Sequence, residues 1–320
     1  MMNLVTADVR ARTTELRDAF SNAQPFRHIV VDDFLEPAFC QRLIAEFPVF
    51  DRAKALDEMG NVGGKAVIPE IARISPAYTE FDHLMKSPDF LRWIGEITGI
   101  DHLLYDPDYI GGGTHENLHG QDLDNHVDFN YHPKRPIHRR LNLILFLNPE
   151  WKREWGGCLE LHRDPWNPDA DSVEPIVPLA NRCVVFETTE NSWHGFHRIE
   201  LPEDRRRESR RSLAVYFYSK DRPAAETAPE HSTIYIPRPL PQYFQAGYTL
   251  QPEDVTQLQI LLQRRDDQIR FLYEREKEFT GTIQMFSKTL SGILRSRSVR
   301  FARALAWPLR RLVKGQQSQM

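Results

Sequence analysis

Three things are scarce in these 320 residues, and each scarcity narrows the reading. No run approaches the roughly 18 consecutive apolar residues that a membrane-spanning helix needs, and the first twenty residues are too charged for a secretory signal. Cysteine is confined to Cys40, Cys158 and Cys183, far apart and without a CxxC pair, which argues against a disulfide framework and a thiolate zinc site. Internal repeats and low-complexity stretches are missing as well. The expectation is a cytoplasmic globular protein with buried, inert thiols.

What is present suffices for one sizeable core, with 41% hydrophobic and 27% charged residues. A domain of about 200 to 250 residues with an extension fits that composition. The formal net charge of −4 is unevenly spread: Arg295 to the C-terminus holds seven basic residues and no acidic one, leaving −11 on residues 1–294. A basic tail on an acidic body points to an anionic partner for the tail alone. The arginines among 205–211 are interrupted by Glu208 and preceded by Asp204, so no nucleic-acid partner is expected.

Four segments follow from the patterning: a helical stretch at 1–24, the main domain at 25–245, an amphipathic helix at 251–294 and a basic amphipathic tail at 295–320. Residues 8–20 read as a polar helix and 25–34 as a strand running into a loop. Glu36-Pro37 opens a helix that Pro48 stops, and a second helix at 87–98 is closed by Gly99. Between them, residues 52–78 show glycines and proline without periodicity and read as a mobile loop. From about 103 to 220 the texture is short β runs, including LNLILFL (141–147), CLELH (158–162), CVVFET (183–188) and SLAVYFYS (212–219). The fold class is mainly β with flanking helices, a sandwich or barrel followed by a long C-terminal helix.

That helix carries a 3–4 spacing through Val255, Leu258, Leu262, Arg265, Ile269 and Leu272, and on through Glu276, Phe279, Ile283, Phe286, Leu290 and Ile293. Ten of the twelve positions are apolar, which has coiled-coil character and leaves self-association through 255–293 open. In the tail, arginines alternate with Phe301, Leu305, Trp307 and Leu309, a pattern that suits peripheral contact with the inner membrane face through 295–314.

Two His-x-Asp triplets occur, His126-Val127-Asp128 and His162-Arg163-Asp164. On a strand the period of two places the imidazole and the carboxylate on one face, where both can reach a metal. A two-histidine, one-carboxylate site takes its third ligand from a distant strand. After Asp128 several strands fit before His194, whereas after Asp164 only thirty residues remain, much of them loop. His197 fits the spacing as well as His194 does. Downstream, Arg210 and Ser212 share a face at the opening of SLAVYFYS and could grip one carboxylate, with Arg211 as the alternative anchor.

The order His126-x-Asp128, then RRLNLILFLNPEWKREWGGCLEL, then SWHG with His194, then RRSLAVYFY resembles the iron(II)- and 2-oxoglutarate-dependent dioxygenases, in the branch similar to prolyl 4-hydroxylase catalytic domains. The likeness covers roughly 30–220. It implies a double-stranded β-helix, with His126, Asp128 and His194 as iron ligands, Arg210 and Ser212 on the distal carboxylate of 2-oxoglutarate, and Asn142 lining the pocket. It further implies dioxygen as cosubstrate and succinate as product, with hydroxylation of an aliphatic C–H in a peptide, small-molecule or glycan-related substrate. His115, His119 and His132 flank this region. The competing readings are a metal-dependent cupin-type hydrolase or isomerase using the same ligands, and a non-catalytic barrel on a coiled-coil, membrane-associated scaffold.

Overall fold

The structure, a computed structural model, describes residues 2–50, 66–241 and 243–296. The chain divides into two compact units, Met1–Gln245 and Ala246–Met320.

The first unit is built on two antiparallel sheets. The larger runs in the order β1 (His28–Val31), β9 (Cys183–Glu187), β6 (His138–Phe146), β11 (Ser209–Ser219), β4 (Gly113–Leu118) and β2 (Ala66–Ile68), with β3 (Leu104–Tyr105) also on β11. The smaller runs β12 (Ile234–Tyr235), β5 (Leu123–Val127), β10 (Trp193–Phe196), β7 (Leu159–His162) and β8 (Val173–Ile176). This is a double-stranded β-helix.

Alternation decides which side chains meet which layer. Leu141, Leu143, Leu145, Leu213, Val215 and Phe217 pack under the helices in the main core. Phe146, Val184 and Phe186 turn the other way and meet Leu159 and Leu161 of the smaller sheet. Because both faces of the central strands are buried, LNLILFL reads as a nearly continuous apolar run rather than an alternating one.

The helical layer comprises α1 (Ala7–Ala11), α2 (Thr13–Asn22), α3 (Pro37–Ala45), α4 (Pro76–Met85) and α5 (Pro88–Thr98). Residues 1–24 are not set apart from the barrel, since Val9, Leu16 and Phe20 are buried in the same core. Within the supposed loop at 52–78, Ala66–Ile68 is a strand paired with β4, and a helix starts at Pro76. The signal for that helix was present in the chain: Ser75-Pro76 repeats the grammar of Ser87-Pro88, where the Ser87 hydroxyl accepts from the Phe90 amide.

The second unit contains α6 (Pro252–Arg295), 44 residues and about 66 Å long. A capping box joins Gln251 to Asp254 at its start. Residues 297–320, most of the basic tail, lie outside the described residues. Among the described residues no helix is long and apolar enough to cross a membrane.

Candidate metal centre and carboxylate pocket

His126 and His194 face each other across the β5–β10 ladder as direct cross-strand partners. Their rings lie 4.2 Å apart between centroids. Asp128 follows β5 and brings one carboxylate oxygen to 3.8 Å from His126 Nε2 and the other to 3.5 Å from His194 Nε2. Ligand atoms of the three residues all fall within 4.8 Å of one another.

The protonation pattern is set by the backbone. His126 Nδ1 is 2.9 Å from the Asp124 carbonyl and His194 Nδ1 is 2.9 Å from the Ser192 carbonyl. A carbonyl only accepts, so each Nδ1 carries a proton and Nε2 is the ring nitrogen left facing Asp128. This is the outer hydrogen bonding that fixes a metal-ligating imidazole. Burial, reinforced by His126, lowers His194 to about 3, which keeps it neutral at ordinary pH. Burial alone would raise the Asp128 carboxyl, but Arg139, His194 and His126 together hold it below the usual carboxylate range. Two imidazoles that turn Nε2 to the site and one ionised carboxylate are the donor set of a non-haem iron(II) facial site.

Asp128 is held from behind. Arg139 Nη2 lies 3.1 Å from its Oδ2, and Asn142 Nδ2 donates to the same oxygen at 2.7 Å. Arg139 also donates to Asn142 Oδ1 from Nε and Nη2, at 3.0 and 2.8 Å, and stacks 3.5 Å from the Tyr216 ring centroid. Strict alternation would put Arg139 on the helix side with Leu141. A bulge opposite Phe217 and Tyr218 makes Arg140 the extra residue and turns Arg139 inward. Asn142 thus touches the carboxylate directly.

Arg210 and Ser212 are buried on the inner face of β11. Arg210 Nε donates to the Gly157 carbonyl at 2.6 Å, and its guanidinium lies over Phe196 and Phe146 at 4.4 and 5.1 Å. Phe196 is two residues along β10 from His194, so the cation and the ligand share one wall. No carboxylate among the described residues pairs with Arg210, and burial pulls its pKa down to about 10. A buried cation without a counter-ion is costly unless an anion arrives, and a carboxylate would supply the fork it needs. Arg211 points the other way, to Glu116 Oε1 at 3.2 Å.

The double glycine of WGGCLEL builds this wall. Gly156 has φ +65°, and a Cβ there would stand 1.9 Å from the Arg198 carbonyl oxygen. Gly156→Ala is therefore expected to lower stability by ~2–3 kcal/mol, seen as a melting-temperature fall of several degrees.

The remaining sequence candidates fall elsewhere. His162 sits on the face of β7 opposite Leu161, which pairs with His194, and its Nδ1 meets Asp171 at 2.6 Å while Asp164 binds Asp171 only through its amide. His197 is exposed and contacts Glu160. His115 and His132 are buried, and His119 accepts from the Leu201 amide. His132 forms a second group of ligand types with Asp106 and Asp108. There Nδ1 accepts from the Lys134 amide, so Nε2 carries the proton and donates to Asp106 at 3.2 Å, which closes it as a ligand. The three cysteines are buried, and burial raises the Cys40 thiol to about 11.

Sequence reasoning missed Arg139, and it also missed Tyr235. Strand β12 pairs with β5 and sets the Tyr235 ring 5.1 Å from His126. Its signal was the short β-branched and aromatic run STIYIP between prolines.

Residues 113–218 match the model of the 2OG-Fe(II) oxygenase superfamily. The matched stretch is the one that holds His126, Asp128, Asn142, His194, Arg210 and Ser212. The name of that superfamily points to iron(II) and 2-oxoglutarate, and the donor set of His126, Asp128 and His194 and the buried Arg210 fit the two. The chain is 32% identical over 101 residues to mouse prolyl 3-hydroxylase OGFOD1, covering 31% of this chain and 17% of that protein's length. Among solved structures, a Trichoplax adhaerens prolyl hydroxylase in complex with a hypoxia inducible factor oxygen degradation domain peptide fragment superimposes with TM-score 0.47 and 13% identity, over 69% of this chain and 96% of that one. A Pseudomonas putida prolyl-4-hydroxylase gives TM-score 0.42 and 16% identity, over 65% and 100%.

Proposed function

We propose that this protein is an iron(II)- and 2-oxoglutarate-dependent dioxygenase that hydroxylates an aliphatic carbon, with a prolyl residue of a peptide as the substrate class. The observation that carries the reading is a metal-ligand face of His126, Asp128 and His194 on the same inner wall as the buried Arg210, which pairs with no carboxylate among the described residues. A cupin-type hydrolase would use the first and leave the second without purpose. The peptidyl-proline assignment draws support from the name of the mouse relative.

When bound, iron(II) with 2-oxoglutarate and dioxygen supplies the oxidation, one oxygen atom entering the substrate C–H and the other leaving in succinate as carbon dioxide is released. The chain's own groups position the reactants. His126, Asp128 and His194 would hold the metal, with both Nδ1 protons tied to carbonyls. Arg210 and Ser212 would seat the far carboxylate of 2-oxoglutarate. Phe146, Phe186 and Leu161 keep the inner wall dry.

Purified protein given iron(II), ascorbate and 2-oxoglutarate is expected to release succinate, and proline-containing peptides from a cell digest are expected to gain the mass of one oxygen. Metal-dependent hydrolysis or isomerisation without succinate would overturn the reading.

The C-terminal segments we assign to placement rather than chemistry, with self-association through 255–293 and an anionic cytoplasmic membrane surface for 295–314. The full chain is expected to float with phosphatidylserine vesicles and to be released at high salt. Equal flotation with neutral phosphatidylcholine vesicles would count against the electrostatic assignment.

A further inference from the structure

Most of the seam of α6 is exposed, with Leu262 at 58%, Leu272 at 57%, Ile283 at 67% and Phe286 at 64% of full accessibility, while Leu258 is half-buried. Its twelve positions alternate spacings of three and four without a break, which makes Val255 the first a position and Leu258 the first d position of a heptad series. Gly281 and Gly292 fall at f and c, off the seam, so they weaken helix propensity without interrupting the apolar face. Two positions break the apolar rule: Arg265 at d and Glu276 at a. Both are exposed.

Those two residues select an orientation. In a parallel pair, d meets d and a meets a, so Arg265 would face its own copy and Glu276 its own copy, burying like charges in the seam. Eleven residues separate them, which is not a multiple of seven, so no shifted parallel register can bring one opposite the other. In an antiparallel pair, a positions lie opposite d positions. With a two-fold axis crossing between Arg270 and Phe271, Arg265 lies opposite Glu276 of the second copy, and Glu276 opposite Arg265.

The same axis aligns every other layer from 255 to 286. Ile269 meets Leu272, Leu262 meets Phe279, Leu258 meets Ile283 and Val255 meets Phe286, so each β-branched or small partner faces a larger one or a leucine. The flanking e and g positions between 259 and 289 carry only Asp266 and Arg275 as charges, too few to favour a parallel arrangement. The orientation is thus decided in the seam itself.

We propose that α6 is the dimerisation element of this protein, and that it pairs with α6 of a second copy as an antiparallel coiled coil locked in register by two reciprocal Arg265–Glu276 contacts. The isologous geometry closes the assembly at two chains. A polar or charged pair at an otherwise apolar seam is the known device for fixing register and orientation at some cost in stability.

Sedimentation of the full chain is expected to show a dimer. E276R, which places arginine against arginine twice, is expected to raise the dimer dissociation constant ~100-fold or more, and the double variant R265E/E276R to restore it. Orientation is read by oxidative cross-linking, for which the native cysteines are buried. A mixture of V255C and F286C chains is expected to give a disulfide-linked dimer, while V255C alone gives none. Self-cross-linking of V255C, a failure of the double reversal to rescue, or a monomer at all concentrations would each overturn the proposal.

Discussion

Arg210→Met is expected to abolish the stabilisation of the protein by 2-oxoglutarate while making the ligand-free protein slightly more stable than the parent. The two halves have one cause. Arg210 is buried against Phe146 and Phe196 and donates from Nε to the Gly157 carbonyl. Replacing a buried charge by an apolar group of similar volume is often stabilising by ~1–4 kcal/mol, and the orphaned carbonyl takes back ~1 kcal/mol or more. A net gain of ~1 kcal/mol, a few degrees in melting temperature, is the expected result. Binding goes the other way. Loss of the buried partner of a carboxylate costs ~2–5 kcal/mol, so the dissociation constant for 2-oxoglutarate should rise ~10²- to 10³-fold. Arg211→Ala is the control, because Arg211 pairs with Glu116 on the opposite face and should change that constant no more than a few-fold. Melting curves with and without 2-oxoglutarate, at fixed manganese(II), decide the matter. An Arg210→Met protein that 2-oxoglutarate still stabilises would remove this residue from the pocket.

The residues whose placement could be read from the chain are those governed by plain alternation. His126 and Asp128 share a face because a strand has period two, and the same rule sets Arg210 and Ser212 inward while Leu213, Val215 and Phe217 feed the helix-side core. Chain order left His194 and His197 both open, and the structure sets His194 on the strand next to β5, with its imidazole beside Asp128. What alternation hides is any departure from it. The bulge that makes Arg140 the extra residue has no signature in RRLNLILFL, so Arg139 reads as a residue on the leucine side when it in fact meets Asp128. Such re-aiming is what bulges beside functional sites do. The helix at Pro76–Met85 and the strand at Ile234–Tyr235 were hidden for a different reason. Each lies beside proline- or glycine-rich sequence whose composition masks the short regular element.

Asp128→Asn is expected to weaken metal binding by at least ~100-fold and to destabilise the metal-free protein by ~3–5 kcal/mol. The substitution keeps the shape of the side chain, and its remaining oxygen can still accept from Asn142, so the charge alone is removed. That charge is the carboxylate partner of Arg139, which is fully buried and also donates to Asn142. Stripped of it, Arg139 becomes a second buried cation without a counter-ion, and the cost of an uncompensated buried charge falls on the folded state. The sign with pH follows from the depressed folded-state value of Asp128. The stabilisation is complete above the unfolded carboxyl pKa of about 4 and is lost as pH falls through the lower folded value, so parent and variant should differ most near neutrality and converge in acid. The double variant Arg139→Met/Asp128→Asn should recover much of the loss, because both buried charges then leave together, and the non-additivity of the cycle measures their coupling. Isothermal titration with manganese(II) separates the metal effect from the stability effect: Arg139→Met retains all three ligands and should bind metal more weakly by ~10- to 100-fold, against near-complete loss in Asp128→Asn. Equal metal affinity in Asp128→Asn and the parent would show that the carboxylate serves the arginine alone.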